Sequence, residues 1–385
     1  MINSRDIVAT TKPTILIMAG GTGGHIFPGI AVADALSADN WQVHWLGTAN
    51  KMEADLVPKY GYDISYLTIS GVRGKSILSF LTAPFKLFKA IRQAKKVIVR
   101  INPDVVLGMG GYASAPGGIA AWILKKPLVI HEQNAVAGLS NRLLANIANN
   151  ICCAFPNAFS SKHKVKTVGN PLRKSIIPSN ADINHSVVQE SHNKNILVVG
   201  GSLGAQVLNE TMPKSYASLA VNKGVAIWHQ TGKKKQKKVI AAYSQKAIAS
   251  GDVKITEFID DMAAAYQWAD IVICRAGALT VSELAMAATP AIFVPLPHAV
   301  DDHQTKNAEY LVNHNAAKLI PQSQLTAESM TTMIVELFAD STILSTMASN
   351  AYQAATVDAT EQVTDVCKQY TDHKGQNTEY HEERL

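Results

Sequence analysis

The residues best suited to chemistry sit in two glycine-rich turns 180 positions apart. Gly20-Gly21-Thr22-Gly23-Gly24 follows the apolar run Ile15-Leu16-Ile17-Met18. Gly200-Gly201-Ser202-Leu203-Gly204 follows Ile196-Leu197-Val198-Val199. Glycine permits positive φ and close approach of a ligand to the backbone. Between a strand and a helix, such a turn points N–H groups outward from the positive helix end, which makes an anion site. Two such turns facing across a cleft suit one diphosphate-bearing ligand. One glycine-rich turn is often purely structural, so the signal lies in the pair.

Other phosphate-binding patterns fit poorly. In the spacing Gly-x-Gly-x-x-Gly begun at Gly21, the third glycine falls on Ile26. The next strand ends Trp45-Leu46-Gly47-Thr48, without the acidic residue that holds a dinucleotide ribose. Gly74-Lys75-Ser76 looks like the end of a Walker loop, but Ile69 stands where its first glycine belongs. No Asp-x-Asp pair occurs. A divalent ion on a diphosphate commonly needs such a pair, so we expect no protein-bound metal and no cofactor.

The elements that position these turns alternate along the chain. Strand-like runs are Thr14–Ala19, Gln42–Leu46, Ile64–Ile69, Asp104–Leu107, Pro127–Ile130 and Ile151–Phe155. A second series is Asn195–Val199, Val225–His229, Val253–Phe258, Asp270–Cys274, Ala291–Val294 and Ala316–Ile320. Helical patterns at 27–38, 113–125, 138–149, 205–220 and 303–313 separate them. This alternation predicts parallel sheets covered on both faces. We therefore expect α/β architecture, with two Rossmann-like doubly wound domains and a cleft between them. The first domain is expected over 12–172 and the second over 173–356, with a polar tail over 372–385.

At 385 residues the chain exceeds one ordinary core and suits two domains. Hydrophobic residues make up 47% and charged residues 17%, which marks a folded protein. The four cysteines include the adjacent Cys152 and Cys153, which form no disulfide framework and fit a reducing compartment. No apolar stretch reaches the roughly 20 residues of a membrane span, and Met1–Pro13 lacks a secretory pattern. Residues 1–175 hold 20 Lys+Arg against 8 Asp+Glu, a charge of +12, whereas the remainder carries −6. The basic half is expected to meet an anionic surface. No nucleic-acid motif accompanies it, so nucleic acid is not an expected partner.

Beyond the two turns, further motifs follow in order. They are Gly110-Gly111-Tyr112-Ala113-Ser114-Ala115-Pro116, His131-Glu132-Gln133-Asn134 and Gly169-Asn170-Pro171-Leu172-Arg173. Then come Glu257-Phe258-Ile259-Asp260-Asp261-Met262 and Arg275-Ala276-Gly277-Ala278-Leu279-Thr280-Val281-Ser282-Glu283. With Gly20–Pro28, this set resembles the undecaprenyldiphospho-muramoylpentapeptide β-N-acetylglucosaminyltransferases, and it spans roughly Thr14 to Tyr370. Leu203 stands where glutamine is frequent, and Ala276 where serine also occurs. The resemblance implies a GT-B type fold, with a C-terminal helix at about 357–371 returning to the first domain. It also implies inverting transfer of N-acetylglucosamine from UDP-N-acetylglucosamine to the muramoyl 4-hydroxyl of the undecaprenyl-linked muramoylpentapeptide, in peptidoglycan synthesis. The implied location is the cytoplasmic face of the bacterial inner membrane, as a peripheral protein, with other cell-wall synthesis proteins as partners.

The resemblance also implies residue roles. Glu283 accepts from the ribose hydroxyls, though Thr280-x-x-Glu283 equally reads as a capping box. Ala278, Leu279 and Thr280 supply backbone N–H groups to the diphosphate, and Val281 and Ser282 follow as substrate-binding residues of the same segment. Ile259 reads the uracil edge by its backbone, and Gln304 contacts sugar hydroxyls. Arg173 grips the diphosphate, or is a solvated charge beside Lys174. Ser202 bonds a phosphate oxygen or caps a helix. Thr22, Gly23 and Gly24 form the first-domain side of the site, and Asn134 lines the cleft or ends a strand as a turn residue. His25 is the candidate general base, since a helix N-terminus disfavours imidazolium and keeps the ring neutral. Alternatively it only orients its loop or contacts phosphate; Glu132 and Asp260 are substitute bases. Rival functions are another transferase of this two-domain type acting on diacylglycerol, a UDP-sugar epimerase, and a non-catalytic sugar-nucleotide sensor.

The stretch Ile77–Lys89 is apolar and aromatic, and Lys75, Arg92, Lys95, Lys96 and Arg100 surround it. This suits an anionic membrane surface, and it suits equally a core-facing helix with a basic outer side.

Overall fold

The computed structural model describes residues 12–69, 82–160, 163–177, 194–201, 203–220, 224–297 and 300–371. Ser202, residues 70–81 of the basic apolar stretch, the polar segment 178–193 and the tail 372–385 lie outside the described residues.

Two parallel sheets are formed. The first contains β1 (Thr14–Ala19), β2 (Gln42–Thr48), β3 (Asp63–Leu67), β4 (Val105–Gly110), β5 (Leu128–Glu132), β6 (Asn150–Cys153) and β7 (Val165–Thr167), in the order β3-β2-β1-β4-β5-β6-β7. The second contains β8 (Lys194–Val199), β9 (Val225–Gln230), β10 (Val253–Thr256), β11 (Ile271–Cys274), β12 (Ala291–Phe293) and β13 (Ala317–Leu319), in the order β10-β9-β8-β11-β12-β13. All twelve expected strands form. The thirteenth, β7, is three residues on an edge and too short and polar to show in the pattern.

Every residue of β1 and β4 is buried, because both faces of the sheet are covered. Side chains alternate between the faces. Ile15 and Ile17 enter a core with Ile30 and Leu36 of α1 (Gly23–Ala38). Leu16 and Met18 enter the opposite core, with Ala94 and Ile98 of a helix over Ala83–Ile101. In the second domain Leu197 and Val272 take one side, and Ile196, Val198 and Ile273 the other. Each fully buried aliphatic side chain contributes about 1.5–3 kcal/mol.

Further helices complete the first domain. They are α2 (Met52–Lys59), α3 (Ala83–Ile101), α4 (Ser114–Ile123) and α5 (Leu139–Leu144). In the second are α6 (Gln206–Leu219), α7 (Gln236–Ile240), α8 (Gln245–Ala249), α9 (Met262–Trp268), α10 (Ala278–Met286), α11 (His303–Asn313), α12 (Ala327–Phe338) and α13 (Ser341–Gln353). α14 (Ala359–Lys368) packs on α1 of the first domain. Val363, Val366 and Cys367 join that core, Lys368 pairs with Asp39 at 2.6 Å, and the Tyr370 hydroxyl donates to Asn150 at 2.7 Å.

In both sheets the strand order reverses beside the first strand of the domain, at β1/β4 and at β8/β11. Open α/β sheets bind ligands at such switch points, beyond the C-terminal strand ends. Both glycine turns lie there.

Candidate active site

The helical pattern suggested a start at Phe27, yet α1 begins at Gly23. Glycine disfavours a helix interior, so Gly23 and Gly24 hid the first turn, which contains His25. Thr22 is the N-cap and makes no side-chain cap hydrogen bond, so the first N–H groups of α1 lack a capping partner. Buried Glu53 braces this turn from behind. Its carboxylate accepts from Gly21 N–H at 2.9 Å, Thr48 N–H at 3.0 Å and the Thr48 hydroxyl at 2.6 Å.

The second loop of this domain packs directly on the first. A Cβ on Gly111 (φ +90°) would lie 2.4 Å from the Gly20 carbonyl oxygen, and one on Gly110 (φ +97°) would lie 2.8 Å from His25 Nδ1. Gly111→Ala is therefore expected to destabilise the protein by about 1–3 kcal/mol, read as a lower urea midpoint with unchanged slope. Buried Ser114 ties the same loop to β1, donating toward the Met18 and Gly110 carbonyls at 3.0 and 2.8 Å.

Gln230, at the end of β9, braces the second-domain turn as Glu53 braces the first. Its Oε1 accepts from Gly201 N–H at 3.0 Å and its Nε2 donates to Gly201 O at 3.1 Å. The two turns face one crevice. Gly21, Thr22 and Gly23 of one domain and Leu203 of the other line a single open cavity of about 510 Å³, together with Asn50 and Lys51. Ser202 itself lies outside the described residues, but its neighbour Leu203 is 82% exposed at this opening.

The capping-box reading of Thr280 and Glu283 fails. The N-cap of α10 is Gly277, so Thr280 is already in the first turn and Glu283 in the second. Ala278, Leu279 and Thr280 carry the N–H groups that a helix leaves unpaired at its start. Val281 is placed differently: its N–H bonds Gly277 O at 3.0 Å and its side chain is fully buried.

Arg173 spans the domains. Its guanidinium lies 4.7 Å from the Phe27 ring centroid and donates to Glu283 Oε1 at 3.3 Å. Its Nε is buried without a partner, so a donor position remains unused. Tyr266 donates its hydroxyl to Glu283 Oε2 at 3.0 Å. Burial pushes the Glu283 carboxyl up from its usual range, and Arg173 and Tyr266 pull it back. The two residues expected on the nucleotide thus hold each other.

Asn134 sits where the domains meet. Its N–H and Nδ2 donate to Glu132 Oε1 at 2.9 and 3.1 Å, and its Oδ1 accepts from Asn307 at 3.2 Å. Asn307 is fully buried and also accepts from Ala135 N–H at 2.8 Å. Ser282 accepts from Asn170 Nδ2 at 2.9 Å. Ile259 is buried, with Phe258 beside it 61% exposed. Gln304 Oε1 accepts from Leu296 N–H at 2.9 Å, which turns its NH2 group elsewhere. His25 Nδ1 lies 2.8 Å from Gln133 Oε1. The substitute base Glu132 is saturated: besides Asn134 it accepts from Gly138 N–H and Asn141 Nδ2, each at 2.9 Å. Asp260 is exposed.

Glu53, Gln230, Tyr266 and Asn307 received no role from the sequence. Each acts on a residue distant along the chain, and no local spacing announces such a partner.

A crevice between two doubly wound domains, with a glycine turn on each wall, defines the GT-B class of glycosyltransferases. The N-terminal and C-terminal domain models of glycosyltransferase family 28 match residues 15–153 and 195–369. The UDP-N-acetylglucosamine--N-acetylmuramyl-(pentapeptide) pyrophosphoryl-undecaprenol N-acetylglucosamine transferase of Colwellia psychrerythraea is 61% identical over 97% of this chain and 96% of its own. The protein of that name from Shewanella oneidensis is 51% identical over 92% and 96%. Among solved structures, Acinetobacter baumannii MurG is 40% identical over 93% of this chain and 99% of its own, with TM-score 0.80. A UDP-GlcNAc 2-epimerase from Neisseria meningitidis bound to UDP-GlcNAc has TM-score 0.65 at 13% identity, covering 92% and 100%, and shares the fold alone. The chain belongs to glycosyltransferase family 28.

Proposed function

We propose that this enzyme moves N-acetylglucosamine from UDP-N-acetylglucosamine to the muramoyl 4-hydroxyl of undecaprenyl-diphospho-muramoylpentapeptide, with inversion. The observation that carries this reading is the single crevice shared by the two glycine turns, in a chain 61% identical over nearly its full length to a transferase so named. The second domain holds the donor. The N–H groups of Ala278, Leu279 and Thr280 face the diphosphate at the positive end of α10. Arg173 and Ser202 add charge and a hydroxyl, Glu283 takes the ribose, and the backbone at Ile259 takes the uracil. Gln304 offers its NH2 group to sugar hydroxyls, with Asn134 and Ser282 beside it.

Thr22, Gly23 and Gly24 form the opposite wall. His25 removes the proton of the attacking hydroxyl, a C–O bond forms at the anomeric carbon, and UDP leaves from the opposite face. The helix end and Arg173 stabilise the departing charge. A transfer assay with labelled UDP-N-acetylglucosamine and a lipid-linked muramoyl peptide should yield the labelled disaccharide lipid. Turnover only with UDP-glucose or UDP-galactose onto diacylglycerol, or epimerisation without acceptor, would overturn the reading.

The acceptor's lipid requires a bilayer, and among the described residues no helix is long and apolar enough to cross one. Surface contact through the first domain meets the need. α3 packs against α4 and α4 against α5, and this row exposes Phe85, Phe88, Trp122, Leu139 and Leu143. Lys86, Lys89, Arg92 and Lys96 are exposed on α3 beside them. Arg100 does not belong to this group, since it turns to β3 and donates to Ser65 at 2.8 Å. The protein is thus peripheral, on the membrane face that holds the UDP-sugar. Each cation near an anionic surface contributes about 1 kcal/mol. Charge reversal at Lys86, Lys89 and Arg92 together should weaken binding to anionic vesicles roughly tenfold or more. Unchanged co-sedimentation would remove this row as the contact.

A further inference from the structure

We infer that Gln133 is a positioning residue that fixes the tautomer of His25, through a directional chain of hydrogen bonds anchored on buried His131. The inference rests on His25 acting as the base, and it assigns to Gln133 a part that the reaction itself does not require it to play.

The chain is fixed from its far end. His131 is completely buried on β5, and its Nε2 lies 2.9 Å from the Gly169 carbonyl oxygen. A carbonyl only accepts, so His131 Nε2 bears the proton and Nδ1 carries the lone pair. Burial pushes the His131 pKa down to about 4, so the ring stays neutral at neutral pH. The Gln133 amide nitrogen lies 3.1 Å from that Nδ1 and 3.2 Å from the His131 carbonyl oxygen. Both are acceptors, and both hydrogens of the NH2 group are used on them. Only one orientation of the amide satisfies this pair, and it aims Oε1 at His25 Nδ1, 2.8 Å away. An amide oxygen only accepts, so His25 Nδ1 must be the protonated nitrogen. The lone pair then falls on Nε2, which no described residue bonds.

A carboxylate in the place of Gln133 would also hold Nδ1–H, but it would favour imidazolium. The neutral amide selects the tautomer without charging the ring. Glu132, the adjacent carboxylate, is bound to Asn134, Gly138 and Asn141 instead. A Cβ on Gly110 would lie 2.8 Å from Nδ1 and 2.9 Å from Cε1 of the His25 ring, so a glycine there leaves room for the ring. Spacing gave no sign of this arrangement, since Gln133 and His25 are 108 positions apart.

The test joins spectroscopy with kinetics. Long-range ¹⁵N–¹H correlation spectra of the whole protein, labelled at the histidine ring nitrogens, read each tautomer directly. Native His25 should show the Nδ1-protonated form and His131 the Nε2-protonated form. In Gln133→Leu the His25 signal should move toward the Nε2-protonated form, and kcat should fall roughly 10²-fold with donor KM within about twofold. Gln133→Glu keeps an acceptor at Nδ1 and should keep the tautomer. In a His25→Ala background, Gln133→Leu should remove nothing further. An Nε2-protonated His25 in the native spectrum, or wild-type kcat in Gln133→Leu while His25→Ala is inactive, overturns the relay and leaves the base intact. Full turnover by His25→Ala overturns both.

Discussion

Replacing His25 by alanine should lower kcat by roughly 10²–10⁴-fold, the usual contribution of a positioned general base, while UDP binding persists. The side chain stands in the first turn of α1, held by Gln133 and seated on Gly110. Its alternatives are weaker on geometry. Glu132 is consumed by backbone and amide donors, and Asp260 sits on the uracil side of the expected donor site beside Ile259. Calorimetric titration with UDP separates the two remaining parts for His25. A base loses turnover and keeps nucleotide affinity. A phosphate contact loses affinity along with rate.

The second large effect is expected at Glu283. Glu283→Gln keeps the shape and a partner for Tyr266 but removes the charge that faces Arg173 and that we propose to hold the ribose. Hydrogen bonds to charged groups contribute about 1.5–3 kcal/mol each, so kcat/KM for the UDP-sugar should fall roughly 10²–10³-fold. The loss should appear mainly in donor KM, whereas His25→Ala loses mainly kcat. The native pair also has a thermodynamic side. Glu283 is 6% exposed, and its carboxyl depends on Arg173 and Tyr266. Glu283→Ala strands both partners and should cost an additional 1–3 kcal/mol or so of stability, visible in the urea midpoint. Wild-type donor KM in Glu283→Gln would remove the carboxylate from the ribose site.

The difference between these variants traces to what the sequence could and could not announce. Ile15–Met18 and Ile196–Val199 are unbroken β-branched or aliphatic runs, and such runs buried on both faces are legible without a structure. The paired glycine turns were legible for the same reason: the residue types have few other uses at a strand end. The start of α1 was not, because Gly23 and Gly24 read as loop while the tertiary fold holds them in a helix. The capping box at Thr280 and Glu283 was a false local match, since Gly277 begins that helix one turn earlier.

Roles for Arg173, Glu283 and Gln304 came from resemblance to a family, and spacing alone would have left them as a solvated charge, a helix cap and a surface glutamine. What escaped entirely were the braces. Glu53 holds Gly21 from 32 positions away, Gln230 holds Gly201 from 29, and Asn307 reaches Asn134 from 173. These contacts exist only once the strands are paired within each domain and the two domains meet.

The most direct measurement is the crystal structure of the protein with UDP-N-acetylglucosamine bound. The diphosphate should lie against the N–H groups of Ala278–Thr280, with Arg173 released from Glu283 toward it and the anomeric carbon turned to Thr22 and His25. A nucleotide bound on an outer face of either domain, beyond reach of both glycine turns, would contradict the account.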